Sequence, residues 1–149
     1  MNFGIEGRLV KMQLDELTSG LEQEELLIVK DYMVKKKKEE KVLEEIRKLN
    51  HEDLMKPQVI SKILGYETFD NYDEVAVYTK GYRILNKIPR MPSNIVENLV
   101  KGFKSFQYIL IADIQKLDEV EGIGEIRAKT IKQSLRRMQE QFTFDNVML

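Results

Sequence analysis

Gly122-Ile123-Gly124, followed within twelve residues by Arg127, Lys129, Lys132 and Arg136, is the stretch of this 149-residue chain most suited to binding chemistry. Glycine reaches backbone angles that a Cβ forbids and lets the chain press close to a ligand, while Ile123 between the two can anchor the bend in a core. Where a helix starts at such a bend, its first amides point outward together and its dipole adds to their pull, which makes a nest for an anion. Arg127, Lys129, Lys132 and Arg136 on that helix then reach neighbouring phosphates, and small Ala128 lets the two helices around the bend approach closely. Other glycine-rich chemistries fail on context. The run Gly122 to Arg127 lacks the third glycine of a dinucleotide-binding fingerprint, follows LDEVE where a strand is required, and has no Gly-Lys-Ser/Thr of a phosphate loop. A purely structural turn is the remaining alternative.

The bend belongs to a repeat. A shift of 32 residues lays Leu85 on Leu117, Ile88 on Val120, Met91 on Ile123, Val96 on Ala128, Leu99 on Ile131 and Phe103 on Leu135. Six apolar matches in one register imply an internal duplication, each copy a short helix, a tight bend and a longer amphipathic helix. In the first copy Arg90 and Pro92 stand where the second has Gly122 and Gly124, and Pro92 has no N–H to offer. Arg90 compensates with its side chain, and Ser93 and Asn94 are placed to cap the exit helix and to touch a phosphate. Alternatively, this copy is packing support for the other. Phe103, Phe106 and Tyr108, at helical spacing beside Ile109 and Leu110, read as core in preference to a base-stacking platform. The arrangement resembles the helix-hairpin-helix motif of proteins that bind DNA without regard to sequence, through phosphates and not base edges.

Charge supports an anionic partner. The net −1 divides unevenly, residues 1–79 holding 12 basic against 17 acidic side chains and residues 80–142 holding 12 against 7. A C-terminal half of that sign suits a polyanion, nucleic acid first among them. The absence of cysteine excludes disulfides and thiolate metal sites, and the single histidine, His51, leaves no pair for a two-histidine zinc site. Asp70, Asn71, Asp73 and Glu74 lack the glycine and the bidentate glutamate of a calcium loop. A 42% apolar share can supply a core, and 8% aromatic, 8 glycines and 3 prolines favour helices over a β-sandwich. No apolar run approaches the ~18 residues of a membrane span. The N-terminus lacks the layout of a secretory signal, so a soluble cytoplasmic protein is expected.

Upstream, Val10, Leu14, Leu17 and Leu21 recur at spacings of four, three and four, one helical stripe that Gly20 breaks. Leu26, Val29 and Met33 mark a second helix, with acids in its first turn where the dipole favours them. In KKKKEEK, Lys35/Glu39 and Lys36/Glu40 are i,i+4 pairs and predict a solvated helix stretch in preference to an anion-binding patch. Val42, Leu43, Ile46 and Leu49 then continue at helical spacing. Asn50 is expected at a helix end, with His51 a neighbour of the cap and not a metal ligand. Residues 53–66 predict one more short helix, Pro57 in its first turn and Gly65 its stop, and residues 67–74 read as a solvated linker.

At GYRILNKIPRMPSNIVENLVKGFKSF and LDEVEGIGEIRAKTIKQSLRRMQEQ the chain looks very like the C-terminal end of the DisA family, the DNA-integrity scanning diadenylate cyclases. The likeness runs back through GRLVKMQLDELTSGLEQEELLIVKDY and ISKILGY into that family's helical linker. The resemblance implies an all-α chain, with a small helical linker bundle at 1–79 and a RuvA-like tandem helix-hairpin-helix DNA-binding domain with a short tail at 80–149. In that family a cyclase domain joins two ATP into cyclic di-AMP with Mg²⁺ or Mn²⁺, the assembly is an octamer, and the hairpins bind branched DNA such as recombination junctions, which represses synthesis. This chain has neither the Asp-Gly-Ala nor the Arg-His-Arg signature of the cyclase, so the resemblance carries over no catalytic residue, metal or nucleotide cofactor. It carries over Gly122, Ile123 and Gly124 as the phosphate clasp, Arg127 and Lys129 as flanking cations, and Arg90 with Met91 as the first bend. The implied partners are branched DNA, a cyclase domain in cis or in trans, and further copies of the chain, with no membrane and a nucleoid-associated location. The rival is a docking scaffold in which the Val10, Leu14, Leu17 and Leu21 stripe faces a partner chain and the hairpins only pack.

Overall fold

Apolar stripes at helical spacing, interrupted by glycine, proline and asparagine, give a chain whose regular structure is entirely helical. The computed structural model describes residues 4–34, 37–67 and 70–148, with side chains as far as Thr143, and no strand occurs among them. Helices α1 (Gly4–Thr18) and α2 (Leu21–Tyr32) part at Gly20, as its position predicts. Helices α3 (Glu39–Arg47), α4 (His51–Leu54) and α5 (Pro57–Leu64) follow. Val29 and Met33 from the end of α2 meet Val42 and Leu43 of α3 in a small core that Leu26, Ile46, Ile63 and Leu64 extend.

Three local expectations need correction. Lys37 and Lys38 do not enter a helix: α3 starts at Glu39 with Lys38 as its N-cap, and Lys37 pairs with Glu45, nearly two turns into α3, at 3.0 Å. Lys35 and Lys36 lie outside the described residues. Asn50 opens a helix instead of closing one. Its side chain accepts the Asp53 amide at 2.8 Å, so His51 is the first residue of α4. The single helix expected over 53–66 is two, because Pro57 starts α5 afresh at its first turn; Gly65 ends it as anticipated.

The second core is the duplicated half, built from α6 (Tyr82–Leu85), α7 (Ser93–Gly102), α8 (Phe106–Ile111), α9 (Ile114–Asp118) and α10 (Glu125–Met148). Leu85 and Leu117, Val96 and Ala128, and Leu99 and Ile131 are buried in matching pairs. Ile88, Ile123 and Leu135 are buried too, with Val120, Met91 and Phe103 packed against them. Every pair from the 32-residue shift therefore serves one shared interior. Phe106 joins that interior, whereas Tyr108 does not: more than half of it is exposed.

Helix α2 touches both cores. Its Leu27 packs on the second, and Asp31, 4% exposed, accepts the amides of Tyr82 and Arg83 at 2.5 and 3.4 Å, the free donors that start α6. Around it Lys80 Nζ donates to the Met33 carbonyl at 2.7 Å, Arg83 pairs with Glu24, and the Tyr82 hydroxyl donates to Glu97. Burial pushes the Asp31 carboxyl above the ordinary carboxylate range, with the Tyr82 and Arg83 amides pulling the other way, and burial lowers the Lys80 ammonium. Helix α1 is the opposite case. It buries no residue, and the expected stripe forms but faces solvent, Leu17 82% exposed and Val10 and Leu14 each more than half.

Candidate nucleic-acid interface

The two bends share one backbone device. Gly122 has φ 84°, and the residue 32 positions earlier, Arg90, has φ 57°, the one positive-φ residue other than glycine among the described residues. The repeat thus reproduces a left-handed turn even where the sequence has lost its glycine. At Gly122 a Cβ would stand 2.5 Å from Ile95 Cδ1, so this position is closed from within. At Gly124 a Cβ would meet nothing within 4 Å, so the missing side chain opens the bend toward solvent, where a ligand can approach the backbone.

Each exit helix starts at its bend. In the second copy the Ala128 amide is the one that bonds back to the Gly124 carbonyl, at 2.9 Å, so the amides of Glu125, Ile126 and Arg127 begin the helix without intrahelical acceptors. In the first copy the Pro92 carbonyl takes the amides of Ile95 and Val96, at 3.0 and 3.2 Å, which leaves those of Ser93 and Asn94 in the same role. Ser93 and Asn94 are exposed, but neither caps α7: the N-cap is Pro92, which has no side-chain hydrogen bond. Ile123 is buried and anchors its bend, and Met91, partly buried, packs against the core at the other.

Braces hold the second bend. Asn98 Nδ2 on α7 donates to the Glu121 carbonyl at 2.9 Å, and the Arg127 guanidinium donates to the Gly122 carbonyl at 2.7 Å. Arg127 therefore shapes the bend as well as charging it. Lys129 pairs with Glu125 at 2.9 Å and pulls that carboxyl below its ordinary range, which quiets an acid in the first turn of α10 where an anion would sit. Lys132 departs from the expectation that it projects outward: its Nζ donates to the Leu110 carbonyl at 3.1 Å, tying α10 to the end of α8.

Helix α10 splits the cations that the sequence groups together. It buries Ala128, Ile131 and Leu135; Arg127 and Arg137 flank that stripe on one side, with Lys129, Lys132 and Arg136 on the other. On the first side runs a groove of about 700 Å³ that joins both bends, lined by Arg90 and Met91 from one, Gly124 from the other, and Arg127, Thr130 and Arg137 from α10. Arg137 was not anticipated. Its spacing of ten from Arg127 is the signal, since ten residues leave it about 80° around the helix, still on the flank that carries Thr130 and Ser134. Arg136, which was anticipated, is exposed but lies off this groove.

The comparisons with known proteins divide the chain in the same two parts. A family model described as DisA bacterial checkpoint controller linker region matches residues 1–72, and one described as SAM-like helix-hairpin-helix tandem matches residues 82–137. Similar curated proteins, each called DNA integrity scanning protein DisA, come from Bacillus pumilus (47% identical over 143 residues), Acetivibrio thermocellus (45% over 144) and Clostridium perfringens (48% over 141). They align with 95–96% of this chain, which spans 40% of the length of each. With a linker that matches at one end and a hairpin tandem at the other, the chain corresponds in sequence to the linker and helix-hairpin-helix part of DisA proteins.

Proposed function

We propose that this chain binds DNA through its phosphates, with a preference for branched forms, as the DNA-sensing part of a DisA-type diadenylate cyclase. The observation that carries the reading is the pair of left-handed bends at Arg90 and Gly122, in one repeat register, opening on a groove whose cations are Arg90, Arg127 and Arg137. Such a surface offers amides and cations to a phosphate backbone. Selectivity then comes from DNA shape and from presenting several hairpins together. In this reading the cyclase domain, in cis or in trans, supplies the ATP and Mg²⁺ or Mn²⁺ chemistry, DNA occupancy is passed to it through α2, and the protein is nucleoid-associated. The relatives' description as DNA integrity scanning proteins supports it.

The test is a salt-titrated binding assay against a four-way junction and a linear duplex. With about four phosphates neutralised, log affinity falls against log salt with a slope near −3.6. Arg127→Ala/Arg137→Ala lowers both affinity and slope, whereas Lys132→Ala leaves the slope alone. A salt-independent affinity, or full binding by the double variant, refutes the mechanism. One observation favours a second reading, docking of a partner chain: the wholly exposed apolar stripe of α1. Concentration-dependent assembly that Leu14→Glu abolishes, with no DNA binding, would select it.

A further inference from the structure

The 32-residue shift relates two grooves as well as two bends. The groove described above has walls at Ile88 and Pro89, beside the first bend, and at Thr130, Gln133 and Ser134 of α10. Adding 32 to the first pair gives Val120 and Glu121, and subtracting it from the other three gives Asn98, Lys101 and Gly102. All five line a second groove of about 980 Å³ beside the second bend. Each bend thus lies against the exit helix of the other copy, and duplication has produced grooves in a pair.

Their chemistry has diverged. The first groove is lined by three arginines and by no acid among the described residues. The second sets Lys101, Lys104 and Lys116 against Asp113, Glu119 and Glu121, and adds a surface that the first lacks. Tyr108 and Ile111, 54% and 76% exposed and one turn apart on α8, lie in it with Phe103. A balanced charge gives this groove less pull on a bare phosphate backbone than the arginine groove has. An exposed tyrosine ring with lysines on its rim is instead the composition that holds a nucleobase by its face and the adjoining phosphates by their charge.

We infer that the second groove takes an unpaired nucleotide of the same DNA whose paired part lies on the bends. The base stacks on Tyr108, and Lys101 and Lys104 meet the flanking phosphates. The groove is continuous with the proposed interface: its wall at Val120 and Glu121 is the start of the second bend, and Asn98 fixes that wall to α7 at 2.9 Å. A strand that leaves its complement at the bend enters the groove directly. Paired duplex has no free base to offer, so the site discriminates gapped or flapped DNA from linear duplex. This rests on the DNA-binding reading and adds to it which feature of a branch is sensed.

The test compares the chain on a linear duplex and on the same duplex carrying a short single-stranded gap. Base–aromatic stacking is worth about 5- to 140-fold in affinity per base. Tyr108→Ala is therefore expected to weaken gapped-DNA binding on the order of tenfold and to leave duplex binding within about twofold, while Tyr108→Trp retains the preference. Lys101→Ala/Lys104→Ala lowers the salt slope on gapped DNA alone. Circular dichroism checks that the fold is kept, as the exposure of Tyr108 leads one to expect. Equal affinity of Tyr108→Ala and the unaltered chain for gapped DNA, or equal loss on both DNAs, overturns the inference while the phosphate-binding reading stands. Failure of the unaltered chain to bind either DNA overturns both.

Discussion

Replacing Arg90 by glycine moves stability and DNA affinity in opposite directions. Arg90 holds φ 57°, and an L side chain in the left-handed region costs roughly 1–2 kcal/mol. Glycine removes that strain but enlarges the freedom of the unfolded chain by roughly 0.5–1 kcal/mol. The balance is a gain of about 0.5–1 kcal/mol, or about 1–4 °C in Tm for a chain of this size. The exposed Arg90 guanidinium lines the arginine groove, so its loss removes one phosphate contact and makes the salt slope shallower by about 0.9. Urea unfolding reads the first effect as a shift in midpoint at unchanged m-value, and salt-titrated binding reads the second. A destabilised Arg90→Gly protein would show that the side chain contributes packing or pairing beyond its backbone cost. An unchanged slope would remove Arg90 from the interface.

Two further outcomes follow from the glycines and from the buried acid. Gly122→Ala meets both a positive φ and Ile95 Cδ1 at 2.5 Å and should destabilise by about 1–2 kcal/mol, whereas Gly124→Ala meets nothing and should stay within about 0.5 kcal/mol while weakening DNA binding; chemical unfolding paired with binding measures this, and a reversed order would refute the division of roles. For Asp31, burial raises the folded-state pKa above the ordinary 3.8, so the folded protein holds that proton more tightly than the unfolded chain does. Its contribution is complete below pH 3.8 and is lost as pH rises through the raised value. Asp31→Asn should flatten the stability profile in that window, and a profile that superimposes on the unaltered protein's would contradict the assignment.

The duplicated half was legible because its two copies bury the same positions, so a single shift exposed the core, the bends and the exit helices together. The shift even placed Arg90 on Gly122, although only the backbone shows that both turn left-handed. What the sequence hid lies in helix azimuth and in long-range partners. Lys132 and Arg136 each follow a buried apolar residue on α10 and look equivalent to Arg127 in one dimension, yet the helix turns them to another flank, and Lys132 finds a carbonyl 22 residues away. Asn50 followed three residues later by Asp53 is a start signal that the adjacent end of α3 masked. Asp31 reads as one more acid on a solvated helix, because nothing local reveals that α6 brings its bare amides to it. Tyr108 was assigned to the core by its spacing, which cannot say which side of a six-residue helix faces in.

The acid of α2 on the first amides of α6 also determines how the protein can be divided. A piece starting at residue 80 keeps every residue of both hairpins but loses Leu27, the Asp31 carboxylate and the Lys30 ammonium 4.4 Å above the Tyr82 ring. Helix α6 has four residues and cannot hold itself. The first bend would lose its footing while the second, carried by the 24-residue α10, kept its own. Transplanted to another protein without α2, the tandem would work as a one-handed grip on DNA, so the working unit to graft begins at Leu21.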